Sequence, residues 1–364
     1  MQHASMEMRE DQEPLGSFSP CTLEAEGPKP PSSIVASSCY EVRPIPGKGL
    51  GLVATRTIHP GTLIIDEAPL LLLDPPCKRN DILKLLGCRL FSSINMRTTP
   101  DQIRAQIHQM ILEKLVQKLD QPQLQLLYSL SDKTVELGAK AKSLWGIWQT
   151  NSIPLGSYRV SGIFPTVVRL NHSCHPNAHH IWDAETGREQ VWVVEGVRPG
   201  QEITISYVRT FCSKSFRQSL LKEKFGFLCT CQACSLTGGA SELDDKFRLE
   251  IDRLAQQFSS AKQDEDINLA IEIGERMLFL MQEVGFNANV QWPGFFNCFE
   301  LYLLVGDMEK AQFYLSRAYE LVCKAQGASS ADARTMRKYK HNPEQYLQDF
   351  KTSDKHFIAS LTHC

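Results

Sequence analysis

The sequence predicts an α+β fold, with short strands grouped in the first two thirds of the chain and helices gathered in the last third. Three observations predict it. Short apolar runs with β character, Tyr40-Glu41-Val42-Arg43, then Leu50-Gly51-Leu52-Val53-Ala54, then Leu63-Ile64-Ile65-Asp66-Glu67, are punctuated by Gly and Pro. Strand character returns from Ala178 to Tyr207, and from Leu243 onward apolar residues recur at helical spacing.

Taken in order, residues 1–37 hold several prolines and few bulky apolar side chains, too little burial to offset ordering entropy, and are expected to form a disordered tail. Pro75-Pro76 closes the first strand group. Ile103, Ile107, Met110, Ile111, Leu115 and Leu119 then predict a helix whose stripe is packing surface, and Leu124, Leu127 and Leu130 predict another. We read this as a helical insert at about 76–146. Ala178-His179-His180-Ile181-Trp182 and Gln190-Val191-Trp192-Val193-Val194, joined by the polar stretch from Asp183 to Arg188, predict a hairpin. Glu202 to Tyr207 predicts one more strand. The last third carries Leu269, Ile273, Met277 and Leu280, then Phe295, Phe299, Tyr302 and Leu303, and, after the break at Gly306-Asp307, Ala311, Leu315, Ala318 and Val322. Such spacing fits paired antiparallel helices, as in helical repeats.

Composition narrows the function classes. A chain of 364 residues with 42% hydrophobic and 22% charged residues has the make-up of an ordinary globular protein, and no apolar run approaches the ~20 residues of a membrane span. No secretory signal pattern opens it, so a reducing compartment, cytoplasmic or nuclear, is expected. A net charge of −2 gives no overall positive field, which disfavours direct nucleic-acid binding and a membrane surface. In a reducing compartment, clustered cysteines point to metal rather than disulfides. Of the 12 cysteines, Cys21, Cys39, Cys77, Cys88, Cys298, Cys323 and Cys364 are scattered and are read as simple thiols.

Four motifs carry chemistry. Cys229, Cys231 and Cys234 place three thiols within six residues, a zinc knuckle whose fourth ligand must come from elsewhere, with Cys174, Cys212 and His175 as candidates. Arg169-Leu170-Asn171-His172-Ser173-Cys174-His175-Pro176-Asn177 is a dense polar segment directly after the apolar run from Ile163 to Val168. Tyr207 closes a strand. Pro46-Gly47-Lys48-Gly49-Leu50-Gly51 is a glycine-rich turn that lets backbone approach a ligand, but it leads into another strand rather than the helix of a phosphate-binding loop.

In this order, Gly47 to Gly51, Asn151, Asn171 to Cys174 with Pro176-Asn177, Glu202 to Tyr207 and the cysteine triplet, the chain resembles the SET-domain protein lysine methyltransferases from about Cys39 to Leu236. It is most similar to the SET-and-MYND branch and to fungal-type SET proteins carrying a stretch like Gly162-Ile163-Phe164-Pro165-Thr166. The resemblance implies a SET domain of short β-sheets at 38–224, a zinc-binding post-SET segment at 225–236 and a C-terminal helical, TPR-like lobe at 237–364. It departs from that branch after Leu73, where Cys77 and Cys88 stand alone and the MYND zinc finger is missing.

The resemblance further implies transfer of a methyl group from S-adenosylmethionine to a lysine of a histone or other protein, by a chain expected to act as a monomer. Lys48, Gly49, Leu50 and Asn151 are then cofactor contacts, and Asn171-His172 clamps the cofactor by backbone and side chain. Tyr207 is the catalytic tyrosine, Phe227 stacks near the adenine and lines the lysine channel, and Cys174 joins Cys229, Cys231 and Cys234 on a structural zinc. An alternative in which the protein is a non-catalytic scaffold, its C-terminal helices gripping partner peptides beside a vestigial SET core, is countered by Tyr207 and the Asn171-His172 clamp. The motifs specify neither the methylated protein nor the number of methyl groups added.

Overall fold

The computed structural model describes residues 39–352 apart from 74–99, 137, 139 and 157–159. The expected tail and the isolated Cys77 and Cys88 lie outside these residues.

A hairpin of β1 (Tyr40–Ile45) and β2 (Gly49–Ala54) pairs from Tyr40↔Ala54 to Ile45↔Gly49. Its turn needs glycine, since Gly47 and Gly49 hold φ of 72° and 77°, a left-handed backbone that side chains disfavour. Gly51 is required for another reason. A Cβ there would lie 2.6 Å from Ile45 Cγ1 and 2.7 Å from Asn171 Nδ2.

The hairpin's open edge accepts β10 (Glu202–Ile205), and β10 pairs in parallel with the two-residue β7 (Asn171–His172), giving the sheet order β1-β2-β10-β7. A second sheet places β9 (Arg188–Val193) between β3 (Thr62–Glu67) and β8 (Ala178–Asp183). The third places β6 (Val160–Ile163) between β4 (Leu71–Leu73) and β5 (Ile153–Leu155). Leu52, Ile64, Val191, Val193 and Ile203 from the strands and Phe164 just after β6 form one buried core among them. The predicted hairpin forms at 178–193. Tyr207, expected at a strand end, instead lies two residues beyond β10, where the chain leaves the sheet.

The insert contains α1 (Pro100–Val116), α2 (Gln121–Ser129), the short α3 (Lys133–Glu136) and α4 (Leu144–Asn151). Asp120 and Gln123 close a reciprocal capping box that starts α2, and Ser143 caps α4. The insert continues past the expected end near 146, so that Asn151 is the last residue of α4. Leu112, Leu127, Leu130, Ile147 and Trp148 make its core.

After β10 comes a helix without an apolar stripe strong enough to read from sequence, α5 (Lys214–Phe225), which spans the junction expected at 224/225 and stops at Gly226 with φ of 80°. The one-turn α6 (Gln232–Ser235) leads to the lobe. There α7 (Gly238–Gln263), α8 (Ile267–Val284), α9 (Ala288–Leu304) and α10 (Met308–Gln326) pack in sequence, followed by α11 (Ala331–Tyr339) and α12 (Glu344–Thr352). Asp266, Asn287, Asp307 and Ser330 each cap the helix they precede. Ile273, Leu280, Phe295, Phe299, Leu315 and Val322 are buried as their spacing predicts, whereas Leu269 is 44% exposed, because it sits on the outer side of the first turn of α8. Asn287 Nδ2 donates to Pro176 O at 2.9 Å, joining the lobe to the polar segment of the SET-like region. No described helix is long and apolar enough to cross a membrane.

Candidate active site and metal centre

Tyr207 is fixed at both ends. Its amide donates to His172 Nδ1 at 3.0 Å and its hydroxyl donates to Leu170 O at 2.6 Å. Around its ring stand Phe225 at 4.9 Å, His172 at 5.4 Å and, edge-on, Phe227 at 6.5 Å between centroids. Burial, and secondarily the charge of Glu202, pushes the Tyr207 phenol up, so it stays a neutral donor at physiological pH.

The same contacts define His172. With Nδ1 accepting from the Tyr207 amide, a neutral ring carries its proton on Nε2, which faces Cys174 Sγ at 3.2 Å and donates to it. His172 is buried, and both ring nitrogens are engaged inside the protein. The His172 ring thus braces Tyr207 against the cysteine cluster while lining the cleft.

All the cofactor residues predicted from sequence line one cleft of about 590 Å³. The β1–β2 turn supplies Lys48, Gly49 and Leu50, the end of α4 supplies Asn151, and β7 supplies Asn171 and His172, with Tyr207 and Phe227 opposite. Several of these side chains also build the walls. Asn171 Nδ2 donates to Leu50 O at 3.2 Å and Glu202 Oε1 at 2.8 Å, and Lys48 Nζ pairs with Glu202 Oε2 at 2.7 Å. Asn151 Nδ2 donates to Ser131 O at 2.7 Å and Ile147 O at 2.6 Å, which commits both its amide hydrogens to the insert. Lys133, Arg169 and Lys224 join Lys48 on the cleft wall, and among the described residues no carboxylate lines it. With Lys48 paired to Glu202, it is Lys133, Arg169 and Lys224 that leave an excess of positive charge on the cleft wall.

Four sulfurs meet below this cleft. Cys229, Cys231 at the start of α6, Cys234 within it, and Cys174 just after β7 place their Sγ atoms within 4.8 Å of one another. Cys174 Sγ lies 3.6 Å from Cys234 Sγ and 4.0 Å from Cys229 Sγ. Tetrahedral zinc with Zn–S bonds of about 2.3 Å requires sulfur separations near ~3.8 Å, so the donor set fits in identity, number and spacing.

Of the other candidate ligands, Cys212 Sγ is directed at Arg209 O and His175 Nε2 at Glu195 Oε1, 3.0 Å away. Hydrogen bonding with Cys229 pushes the Cys174 thiol up, while the same bond holds Cys229 far below the ordinary thiol range. Crowded thiols divide their protons in this way, and a divalent cation relieves the conflict by accepting all four as thiolates. The Cys174 amide, 3.3 Å from Cys231 Sγ, and His172 supply the outer hydrogen bonds such a centre uses.

Sequence reading missed several parts of this assembly. Glu202 ties Lys48 to Asn171, and its only signal was its place at the start of the strand leading to Tyr207. Phe225 packs closer to Tyr207 than Phe227 does. Glu67, raised by burial, accepts from the Thr166 amide at 3.0 Å and the Val167 amide at 3.1 Å, and so holds the turn that ends in the Leu170 carbonyl. Asn177 accepts from Thr204 N and donates to Glu202 O, both at 2.9 Å, fastening the polar segment to β10.

The SET domain family matches residues 49–208. Histone-lysine N-methyltransferase set5 of Schizosaccharomyces pombe is 24% identical over 311 residues, covering 84% of this chain and 85% of that protein. Histone-lysine N-methyltransferase ASHR1 of Arabidopsis thaliana is 36% identical over 96 residues, 26% of this chain and 20% of its own length. N-lysine methyltransferase SMYD2 of Homo sapiens is 31% identical over 99 residues, 27% and 21% of the two chains. The likeness thus extends along most of the fission-yeast protein and about a fifth of the plant and human ones. The family match spans the strands and the polar segment that build the cleft, so that residues 49–208 are similar to a SET domain.

Proposed function

We propose that this protein transfers a methyl group from S-adenosylmethionine to the side-chain nitrogen of a lysine in a protein. The observation that carries this reading is the convergence, within a SET domain, of the β1–β2 turn, Asn151, Asn171-His172, Tyr207 and Phe227 on one cleft. The cofactor supplies an electrophilic methyl on sulfur; the chain's task is to hold the amine in line with it.

Lys48 and the other cations of the cleft suit the cofactor's carboxylate, and the turn at Gly49 and Leu50 offers backbone at close approach. Tyr207, neutral and anchored through its hydroxyl to Leu170 O, orients the incoming amine. The lysine has an ordinary pKa near ~10.4 and must be neutral to attack, and the Phe225, Phe227 and His172 rings around Tyr207 form an apolar passage that disfavours its charge. The amine's proton leaves to solvent, the nitrogen–carbon bond forms as the carbon–sulfur bond breaks, and the cofactor departs as its thioether. Zinc on Cys174, Cys229, Cys231 and Cys234 has a structural role, tying the Asn171-His172 strand to the segment bearing Phe227. Four reduced cysteines suit the cytoplasm or nucleus.

Incubating the purified protein with S-adenosylmethionine labelled on the methyl group and a lysine-peptide array tests the assignment. Label should appear on particular lysines and on none when lysine is replaced by arginine. Cofactor binding with no transfer to any peptide, histone or otherwise, would instead support a scaffold that retains the cleft.

A further inference from the structure

Arg217 is an unusual residue to find where it is. It lies on α5 with its side chain fully buried, yet among the described residues its Nε and Nη2 have no hydrogen-bond partner. Nη1 donates to Cys212 O. The nearest carboxylates, Asp244 at 3.6 Å from Nη2 and Asp245 at 3.9 Å from Nη1, are beyond hydrogen-bond distance. Asp244 is moreover the closer partner of Arg248, whose Nε reaches it at 2.8 Å. A guanidinium cannot shed its charge, and burying it with unpaired donors is costly unless a further anion faces it.

The face of α5 that carries Arg217 packs on the cysteine cluster. One turn along α5, Leu221 packs directly against Cys174, Cys229 and Cys234, and between them Gln218 Nε2 donates to Cys229 O at 3.1 Å. Residues four apart share a helix face, so Arg217 and Leu221 both look toward the cysteine cluster. A zinc ion with four thiolates carries a net charge of −2, whereas four thiols would carry none.

We propose that Arg217 is the buried counter-charge of a zinc tetrathiolate at Cys174, Cys229, Cys231 and Cys234, setting the centre's metal affinity without coordinating the metal. The inference rests on the zinc reading above. Arg217 is a positioning and charge-balancing residue, remote from the methyl transfer.

Full-length protein and its Arg217→Gln variant are to be compared by zinc content and by competition for zinc with a colorimetric chelator. The parent should hold one zinc, and the variant should bind it roughly ten- to a hundredfold more weakly, the usual cost of removing an outer-sphere partner. A parent without zinc would overturn the metal assignment itself. A parent with zinc and a folded variant of equal affinity, lower only in melting temperature, would overturn the role of Arg217 alone and assign it to docking α7. Should the Gln variant not fold, Asp244→Asn decides the matter. It keeps Arg217 and removes a competing carboxylate, so zinc affinity should hold or rise, and a tenfold fall would overturn the proposal.

Discussion

In the SET region, buried Asn151, His172 and Asn177 each spend a side-chain hydrogen bond on the backbone of a distant segment, as when His172 accepts from the Tyr207 amide and Asn177 reaches Thr204 and Glu202 across more than twenty residues. In the helical lobe, Asp266, Asn287, Asp307 and Ser330 bond the amide three residues ahead, and the interior is filled by apolar side chains at helical spacing. One region is irregular backbone held by distant polar groups; the other is regular backbone held by local caps and packing. The lobe can lose a contact and keep its shape, whereas the site depends on a few pins, the four cysteines foremost.

The largest expected effect exploits that contrast. Cys231→Ser removes one of four ligands from a centre whose binding energy is also folding energy, so zinc content should fall well below stoichiometric. Hydrogen exchange should then accelerate across residues 205–236, including the Tyr207 amide bonded to His172, while α8, α9 and α10 keep their protection. Uniform acceleration through the lobe would break the division between the two regions.

Tyr207→Phe tests the pin at the centre of the site. The ring and its contacts with Phe225 and Phe227 remain, and only the hydroxyl's bond to Leu170 O is lost. Turnover should fall roughly a hundredfold or more through misplacement of the amine, with cofactor affinity unchanged by calorimetry. Normal turnover would remove the hydroxyl from the mechanism.

These residues also mark how far the sequence could be read. Spacing at 3.6 residues reveals α8 to α10 because packing there repeats along the chain, and short apolar runs bounded by Gly, Pro or a polar turn reveal β1 to β3 and the hairpin β8–β9. The cysteine triplet stands out by its own spacing, and Tyr207 and Asn171 through resemblance to a family. What hid were partners with no pattern of their own. Glu67 acts ninety-nine residues away on Thr166, Glu202 acts on Lys48 and Asn171, and Arg217 sits in a helix whose charged residues suggest exposure. Leu170 contributes only a carbonyl, which any residue has. His172 was visible as a site residue but its engagement on both nitrogens was not, since a tautomer depends on what folding brings alongside.

A smaller effect is expected where a pin carries stability rather than chemistry. Asn177→Ala removes the donor to Glu202 O and leaves the Thr204 amide buried without its acceptor. Two buried polar groups so stranded should cost about 4 kcal/mol in urea unfolding. A loss under about 1 kcal/mol would show that β10 is held by its strand neighbours alone.

The smallest effect lies in the lobe and depends on pH. Glu300 is one of the polar side chains buried in its interior: burial pushes its carboxyl up to about 7, opposed by the hydroxyl of Tyr346 and the charge of Lys262. Between its unfolded value and about 7, the folded lobe retains a proton that the unfolded chain has released. The stabilisation is therefore complete in mild acid, below the unfolded value, and drains away as pH rises through 7, by about 3 kcal/mol at most. Glu300→Gln keeps the shape and an acceptor for Tyr346 but cannot ionise. Melting curves should show parent stability declining between about pH 5 and 8 while the variant stays flat, the two diverging most on the alkaline side. A parent as flat as the variant would mean that Lys262 keeps Glu300 ionised throughout, and that the lobe, like the SET region, relies on a buried polar pair to hold its helices together.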